Sequence, residues 1–256
     1  MQIATWNINS IRARHFRLLD WLQRRSPDVV CLQELKVEET KFPAIELTAL
    51  GYSSAVNAQK TYNGVAILSK HPMTDIVIGL NDDVEDPQAR LVAATVNGVR
   101  VVSVYVPNGE DLASTKWPYK LAWMKRLRAW LGRTASAEQL LALCGDFNVA
   151  PEPIDVDPGV LDGQVLFHPD ARAALADVVA FGLTDTFRQR HPGEPKLYSW
   201  WDYRMLGFPK NRGMRIDHIF ATAPLAARCN DSFVDREERK GKMPSDHAPV
   251  ISTFDV

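Results

Sequence analysis

The sequence is poor in features that would point to a special environment. Its three cysteines are far apart and lack the paired Cys or His spacing of a zinc site. We therefore expect buried, reduced thiols in a cytosolic protein. No run of about 18 apolar residues is present, so we expect neither a membrane span nor a membrane partner. The amino terminus lacks a basic segment followed by an apolar one, which argues against a signal peptide.

The chain also carries almost no net charge, because 30 basic and 31 acidic side chains give a formal charge of −1. A protein that coats DNA by general attraction would be strongly basic, so any contact with nucleic acid has to come from local clusters. Basic clusters occur around Arg12 and in the segments 210–215 and 236–242. Each cluster taken alone is most simply a solvated surface.

What the sequence does contain is an alternation of strand and helix patterns, without a low-complexity linker or an internal repeat. An Asn-Gly pair at 97–98 joins two β-rich runs and predicts a hairpin. The predicted strands cover 3–7, 28–33, 52–56, 64–69, 91–96, 100–106, 140–144, 215–221 and 250–254, and the predicted helices cover 14–25, 116–133 and 169–181. The polar segment 155–167 is interpreted as a loop. The pattern predicts one α/β domain over 1–256, with two packed mixed sheets and helices outside.

Polar side chains stand at four strand ends. They are Asn7 with Asn9, Glu34, Asp146 with Asn148, and Asp246 with His247. Ligand sites in layered α/β proteins gather at such ends. Converging carboxylates repel one another unless a cation binds, and carboxylate and amide oxygens suit Mg²⁺ or Mn²⁺. Each segment alone is compatible with a turn or a surface acid, but four together favour a metal site.

Two further segments supply parts that phosphate chemistry needs. Tyr105 and Asn108 follow a predicted strand and offer a phenol and an amide as hydrogen-bond donors. Asp217 is a candidate to orient the imidazole of His247, because a positioned base commonly has an orienting acid. His218 is expected to point to the other face of its strand and is interpreted as structural.

Together these segments resemble the exonuclease III family of DNA repair nucleases, within the endonuclease/exonuclease/phosphatase superfamily. GDFN at 145–148 and SDH at 245–247 resemble superfamily motifs, while SWWDYR at 199–204 and NRGMRID at 211–217 narrow the resemblance to the DNA-processing branch. Further motifs follow in the family's order at 6–14, 32–36, 62–70, 104–109 and 184–188. The resemblance covers essentially the whole chain and implies a four-layered α/β sandwich with the site at one edge.

The same resemblance implies a role for each polar side chain. Asp146 looks like the residue that activates water, and Asn148 like the one that orients water and the scissile phosphate. His247, paired with Asp217, looks like a phosphate binder that stabilises a pentavalent transition state, and Tyr105 like a donor to the phosphate or the leaving oxygen. The number of metal ions, and the choice between Asp146 and His247 as base, stay open.

The metal shell implied by the resemblance is centred on Glu34. The candidate ligands are Asn7, Glu34, Asp146, Asn148, Asp246 and His247, with Asn9 behind them. Mg²⁺ is the expected ion, with Mn²⁺ as the alternative.

An apolar pocket is implied as well. Trp200, Met214 and Ile216 resemble the pocket that receives an extruded sugar lacking its base, whereas Trp201 is expected in the core. His168 falls in a loop that lies close to this pocket in the family. We interpret it either as a solvated loop histidine or as a side chain that narrows access for an abasic sugar. The second interpretation predicts that 3′-end trimming and 3′-phosphate removal outweigh abasic-site incision.

Contacts to the DNA backbone are expected from Arg12, Lys36 and Arg212, with Asn108 as a further DNA-binding candidate. Leu35 departs from the family pattern, which usually has threonine there, and we expect little effect from this change. The expected partner is double-stranded DNA with 3′ ends, nicks or abasic sites.

The sequence thus predicts a hydrolase: a Mg²⁺-dependent repair nuclease with 3′→5′ exonuclease, 3′-phosphatase and abasic-site activities. We expect a cytoplasmic monomer, associated with the nucleoid if the host is a bacterium. One alternative is a superfamily phosphoesterase acting on phosphoinositides, sphingolipids or RNA, against which SWWDYR and the short chain argue. The other is a DNA-end binding module without catalysis, against which the filled ligand positions argue.

Overall fold

The computed structural model describes residues 1–159 and 165–256, which form two β-sheets with helices on their outer faces. The strands are β1 (Gln2–Asn7), β2 (Val29–Gln33), β3 (Ser53–Asn57), β4 (Val65–Ser69), β5 (Met73–Ile78), β6 (Leu91–Val96), β7 (Val99–Tyr105), β8 (Leu141–Asp146), β9 (Leu183–Asp185), β10 (Asp217–Thr222), β11 (Cys229–Val234) and β12 (Val250–Phe254). The α-helices are α1 (His15–Arg25), α2 (Ala44–Ala49), α3 (Lys116–Thr134), α4 (Pro169–Val179), α5 (Thr186–Arg190) and α6 (Ala223–Ala226). Short 3-10 turns occur at Glu39–Lys41, Pro153–Asp155, Arg204–Leu206 and Arg236–Arg239.

Each sheet has six strands and mixes parallel with antiparallel neighbours. The strand order is β11-β12-β1-β2-β4-β3 in the first sheet and β5-β6-β7-β8-β10-β9 in the second. In the first sheet β1 and β2 are parallel, and β12 runs antiparallel to β1. In the second sheet β7 and β8 are parallel, and β10 runs antiparallel to β8. The centres of the two sheets therefore share one arrangement, a parallel pair flanked by an antiparallel strand.

The space between the sheets is filled by β-branched and small apolar side chains. Val29 and Ile67 of the first sheet belong to one buried cluster with Val101 and Ile219 of the second. A separate apolar cluster lies between the first sheet and α1, and another lies between the second sheet and the helices α3 and α4. These layers of helix, sheet, sheet and helix confirm the predicted four-layered α/β sandwich.

Local sequence explains why the main elements form. α1 buries Leu18, Trp21 and Leu22, whose spacing of three and four residues places them on one face of the helix. The hairpin between β6 and β7 turns at Asn97 and Gly98, which have φ values of 48° and 78°. Both lie in the left-handed region that a two-residue type I′ turn requires, and Asn-Gly is the pair that tolerates it best.

The elements that the pattern does not predict are edge strands or short segments. β5 lies at one edge of the second sheet and is mostly exposed, and β9 at the other edge has only three residues. β11 lies at the edge of the first sheet and includes the polar run Asn230, Asp231 and Ser232. Such strands lack a fully packed face, so no apolar period marks them in the sequence.

One predicted loop is described only in part. Within the segment 155–167, residues 160–164 lie outside the described residues. Before this gap, Val156 forms a single antiparallel bridge with Met214. None of the described helices combines the length and the apolar composition needed to cross a membrane.

Candidate active site

The strand directions bring polar side chains from distant parts of the chain to one edge of the sandwich. β1 and β2 are parallel, so Asn7 and Glu34 emerge together from the first sheet. β7 and β8 are parallel as well, and they present Tyr105 opposite Asp146. β10 runs back from this edge and begins with Asp217, which pairs with Asp146 across the ladder. Strand polarity alone thus collects the acids that the sequence pattern identifies.

The two sheets are joined at this edge through an amide. The Nδ2 of Asn7 donates hydrogen bonds of 2.9 Å to Glu34 Oε1 and of 2.9 Å to Asp146 Oδ2. His247 lies in the segment just before β12, and its ring nitrogen shares the same space. Ligand atoms of Glu34, Asp146 and His247 all lie within 4.8 Å of one another. The structure therefore brings together three of the predicted ligands in one cluster.

An imidazole, a carboxylate and a hydroxyl form a buried chain in this cluster. His247 Nδ1 lies 2.9 Å from Asp217 Oδ2, and Ser199 Oγ donates to the same oxygen at 2.7 Å. Burial acts to lower the pKa of His247, but Asp217, Asp146 and Asp246 outweigh it and raise the pKa to about 10. The ring is therefore an imidazolium at neutral pH, with Nε2–H directed toward Asp146 at 3.8 Å.

Asp146 is a carboxyl group with an unusually high proton affinity. Burial raises its pKa to about 7, although His247 and the hydrogen bond from Asn7 act in the opposite direction. Its orientation is fixed by Asn148, whose backbone N–H donates to Oδ1 at 2.9 Å. The side-chain Nδ2 of Asn148 lies 3.3 Å from the other carboxylate oxygen. A carboxyl group that titrates near neutrality is suited to accept and release a proton.

Tyr105 is held as a neutral phenol. Burial, followed by the charges of Glu34 and Asp146, raises its pKa well above the ordinary value. Its hydroxyl donates to Glu34 Oε1 at 2.9 Å. Tyr105, the predicted donor, therefore lies in the site, and its hydroxyl currently donates to the carboxylate of Glu34.

Asp246 lies on the other flank of the site. Its Oδ1 accepts from Asn9 Nδ2 at 2.8 Å, and its Oδ2 accepts from the indole N–H of Trp200 at 3.1 Å. Burial acts to raise its pKa, but His247, Trp200 and Asn9 together hold the pKa below the ordinary value. Lys36 connects this flank to the metal candidates, because its Nζ lies 2.7 Å from Asn9 Oδ1 and 2.6 Å from Glu34 Oε2.

The donor set fits a hard divalent cation. Glu34, Asp146 and Asp246 provide carboxylate oxygens, and the side-chain N–H groups of Asn7 and Asn148 donate to Glu34 and Asp146. Carboxylate and amide oxygens are the ligands of Mg²⁺ and Mn²⁺, and the described residues place no thiol among them. As an imidazolium held by Asp217, His247 presents a donor at Nε2 and suits an anionic oxygen better than a metal.

The candidates for the apolar pocket differ in how exposed they are. Met214 is 0% exposed and Ile216 is 1% exposed, and both pack in one cluster with Val165, next to the half-buried Trp200. Trp201 is fully buried, as expected, and its indole N–H donates to Asn211 Oδ1 at 3.1 Å. Trp200 is therefore the member of the group that offers surface to a ligand.

His168 is not a freely solvated loop residue. Its Nδ1 accepts from the backbone N–H of Asp170 at 3.1 Å and so caps the first turn of α4. Its ring meets the indole of Trp117 edge to face, with 4.9 Å between ring centroids. Trp117 in turn packs against the apolar cluster that contains Met214. The structure thus ties the imidazole to the wall of the predicted pocket.

The remaining DNA-binding candidates have different surroundings. Arg12 and Arg212 are exposed on the surface, while Lys36 is partly buried against Glu34. Asn108 is exposed, and its Nδ2 donates to Asn148 Oδ1 at 2.9 Å. His218, interpreted as structural, is fully buried and bonds to the carbonyl oxygen of Val149 at 3.0 Å.

Sequence reasoning missed three residues that hold this site. The first is Ser199, whose hydroxyl donates a hydrogen bond to Asp217. Ser245 Oγ donates to the carbonyl oxygen of Asn7 at 2.7 Å and accepts from the backbone N–H of His247 at 3.2 Å. Ser199 lies in the SWWDYR motif beside Trp200, and Ser245 lies in the SDH motif beside Asp246. This position inside a functional motif is the signal that could have identified them. The third, Lys120, lies inside a helix and gives no signal in the sequence.

The fold and this acidic edge define a family of metal-dependent phosphoesterases, and comparison with known proteins agrees. The sequence model of the Endonuclease/Exonuclease/phosphatase family matches residues 4–247. The chain belongs to this family, as the motifs predict.

The relatives support the exonuclease III resemblance. Exodeoxyribonuclease III of Haemophilus influenzae is 35% identical over 266 residues, covering 99% of this chain and 100% of that protein. The structure of an AP endonuclease from Archaeoglobus fulgidus is 42% identical with a TM-score of 0.95, and all of both chains is covered. A variant of the 3′ phosphatase NExo from Neisseria, bound to a product DNA hairpin, is 41% identical with a TM-score of 0.95, again over all of both chains.

Proposed function

We propose that the protein is a metal-dependent DNA repair nuclease that hydrolyses phosphodiester bonds at 3′ ends, as exonuclease and 3′-phosphatase, and 5′ of abasic sites. The prediction of a hydrolytic repair nuclease with 3′ activities is confirmed by its relatives, an exodeoxyribonuclease III, an AP endonuclease and a 3′ phosphatase. The observation that carries the proposal is the cluster of Glu34, Asp146 and His247 within 4.8 Å.

We assign the metal position to Glu34 as main ligand. Asp146, Asp246, Asn7 and Asn148 surround it, and Mg²⁺ is the ion that best suits these oxygens. When bound there, the ion would lend positive charge to the phosphate that is attacked. Asn9, behind this set, fixes the orientation of Asp246.

The side chains divide the remaining chemistry between them. Asp146 accepts the proton of the attacking water, because burial gives its carboxylate a higher proton affinity than an exposed one has. His247 is already protonated, so it is the poorer base and the better donor to a non-bridging oxygen. Asn148 orients the water, and Tyr105 donates to the leaving oxygen once it releases Glu34. This division supports Asp146 over His247 as the base.

The proposed DNA contacts follow from position. Arg12 and Arg212 are exposed cations suited to backbone phosphates, and Asn108 reaches the site through Asn148. Lys36 neutralises Glu34 and stays close enough to the cluster to meet a phosphate there. We further propose a cytoplasmic monomer acting on double-stranded DNA with 3′ ends, nicks or abasic sites.

One set of duplexes tests the function. It contains a blunt 3′-hydroxyl end, a 3′-phosphate end and an internal abasic analogue, each incubated with Mg²⁺ and separately with EDTA. We expect cleavage that EDTA abolishes and that Asp146→Asn lowers by about 10²–10³-fold. Hydrolysis of inositol phosphates in place of DNA would establish the phosphoesterase alternative. DNA-end binding without metal-dependent cleavage would establish the silent binding module.

His168 is proposed to set the balance of activities. Its ring packs on Trp117 at the wall of the pocket, so replacing it with a smaller side chain should ease entry of an abasic sugar. Because His168 also caps α4, the test variant is His168→Asn, which keeps a capping acceptor and removes the ring. We expect the ratio of abasic incision to 3′-phosphate release to rise.

The matched control for this variant is His168→Gly, which removes the ring together with the cap. A ratio that rises in both variants assigns the effect to the ring. An unchanged ratio in His168→Asn, with normal 3′-phosphatase turnover, would refute a selectivity role.

A further inference from the structure

A lysine ammonium is buried beneath the site on the inner face of α3. Lys120 is 0% exposed. Its Nζ donates to the carbonyl oxygens of Asn108 at 3.0 Å, Asn148 at 2.6 Å and Val165 at 3.0 Å. An ammonium has three N–H donors, and here all three are used on backbone carbonyls. Burial lowers the pKa of Lys120 to about 7, and the three carbonyl acceptors, together with the charge of Asp146, favour the ammonium form there.

The three acceptors belong to three separate loops around the site. Asn108 follows β7, Asn148 follows β8, and Val165 precedes α4. The loop after β7 is packed closely on this helix, since a Cβ at Gly109 would lie 3.1 Å from Lys120 Cδ and 3.2 Å from Trp117 Cε3. One side chain therefore joins all three segments, in addition to the direct hydrogen bonds that link Asn108 with Asn148 and Ala150 with Leu166.

The geometry points to Lys120 as a positioning residue for Asn148. Asn148 has a left-handed φ of 51°, a conformation that asparagine adopts more readily than most residues and that directs its side chain here. Its side chain donates to Val106 O at 3.0 Å and accepts from Asn108 at 2.9 Å. Lys120 binds the backbone carbonyl oxygens of Asn108 and Asn148. By fixing this backbone, it sets the direction of the Asn148 side-chain amide toward Asp146. This inference rests on the role proposed for Asn148.

The experiment uses Lys120→Met, which keeps the chain length and removes the ammonium. Turnover and KM are measured on the 3′-phosphate duplex with Mg²⁺. We expect kcat to fall about 10- to 100-fold, the usual effect of losing a group that orients a ligand, with KM changed less than about threefold. Lys125→Met is the control, because Lys125 lies exposed on the same helix, and its kcat should stay that of the parent.

A double-mutant cycle separates positioning from general support of the fold. If Lys120 acts through Asn148, the pair Lys120→Met with Asn148→Ala should be no slower than Asn148→Ala alone. Losses that multiply would overturn the inference, and so would an unchanged kcat in Lys120→Met. If Lys120→Met does not fold, Lys120→Gln retains two N–H donors and should give an intermediate kcat.

The outcomes also distinguish this inference from the proposed function. Full turnover in Asn148→Ala would overturn the role proposed for Asn148, and this inference with it. Reduced turnover in Asn148→Ala with parental turnover in both Lys120 variants would overturn the inference alone.

Discussion

At the scale of single residues, the surroundings of a carboxyl group decide its pKa and therefore the role that it can take. Asp146 and Asp246 are both carboxyl groups of one site, yet burial raises the pKa of the first to about 7, while its neighbours lower that of the second. Asp246 has an indole and an amide as donors, and these stabilise its charged form. Asp146 accepts three hydrogen bonds, but it is more deeply buried and lies beside the like charge of Asp217, and both effects favour its neutral form. These opposite pKa shifts support the proposed division into a proton acceptor, Asp146, and a permanent anion, Asp246.

The variant Asp217→Asn tests whether the charge of one buried carboxylate supports turnover. Asp217 holds the ring of His247 at 2.9 Å and favours its charged form. Loss of this charge should lower the pKa of His247 and so make its charged form less stable. We expect kcat to fall by about 10²-fold, while the fold stays intact. Steady-state kinetics on the 3′-phosphate duplex measures it.

Ser199→Ala is the matched variant, because it removes one hydrogen bond to Asp217 and keeps the charge. We expect a smaller loss, about 10-fold or less. Equal losses in the two variants would show that orientation matters and charge does not.

At the scale of elements, the start of β10 depends on a buried ion network. Arg215 is 1% exposed, and its Nε donates to Asp155 Oδ1 at 2.7 Å, while its Nη1 lies 2.8 Å from Asp185 Oδ2. The same Nη1 donates to His218 Nδ1 at 2.9 Å. The network thus joins the turn before α4, the end of β9 and the strand that begins with Asp217. Removing one member leaves a buried charge unpaired, which is strongly destabilising.

His218 makes this network sensitive to acid. Burial, followed by the charge of Arg215, lowers its pKa to about 4, against about 6.5 in an unfolded chain. Between these values the unfolded chain binds the proton and the folded one does not. The free energy of unfolding is therefore unaffected by this proton above about pH 6.5 and falls as the pH drops toward 4, by an amount on the order of 3 kcal/mol.

Urea unfolding of the protein and of His218→Gln tests this prediction at about pH 4.5, at about pH 5.5 and at about pH 7. The free energy of unfolding should fall more steeply with acid in the parent than in the variant. Other groups, Asp146 included, titrate equally in both and cancel in the comparison. Parallel curves would contradict the assignment.

At the scale of the whole molecule, the site exists only because two sheets share an edge. Asn7 comes from the first sheet and Asp146 from the second, and one amide joins them at 2.9 Å. Because the net charge is only −1, the proposed affinity for DNA has to come from a few local cations, such as Arg12 and Arg212.

The salt dependence of binding tests this view of the DNA-binding surface. Arg12→Ala and Arg212→Ala should each weaken binding to a 3′-ended duplex and reduce the slope of log K against log salt by about 0.9, the effect of one lost phosphate contact. Arg228→Ala is the control, because Arg228 is exposed beyond the far end of β10, after α6. An unchanged slope in the first two variants would place the DNA elsewhere.

The sequence alone was sufficient for the elements with a clear apolar period and for the polar residues at their ends. Glu34, Asp146 and His247 each follow or precede a strand with such a period, and their motifs carry the family resemblance. Edge strands such as β5 and β11 escaped prediction because a half-exposed strand needs no regular apolar pattern. The family and the acidic edge were thus accessible from local pattern.

Tertiary structure decided what depends on distance and burial. Lys120 is indistinguishable in sequence from the exposed lysines of its helix, yet packing gives it three carbonyl partners from three loops. The protonation of His247 and Asp146 is likewise set by neighbours remote in the chain. A local pattern records which face of an element is apolar, whereas electrostatic energies depend on separations that exist only once the two sheets have packed.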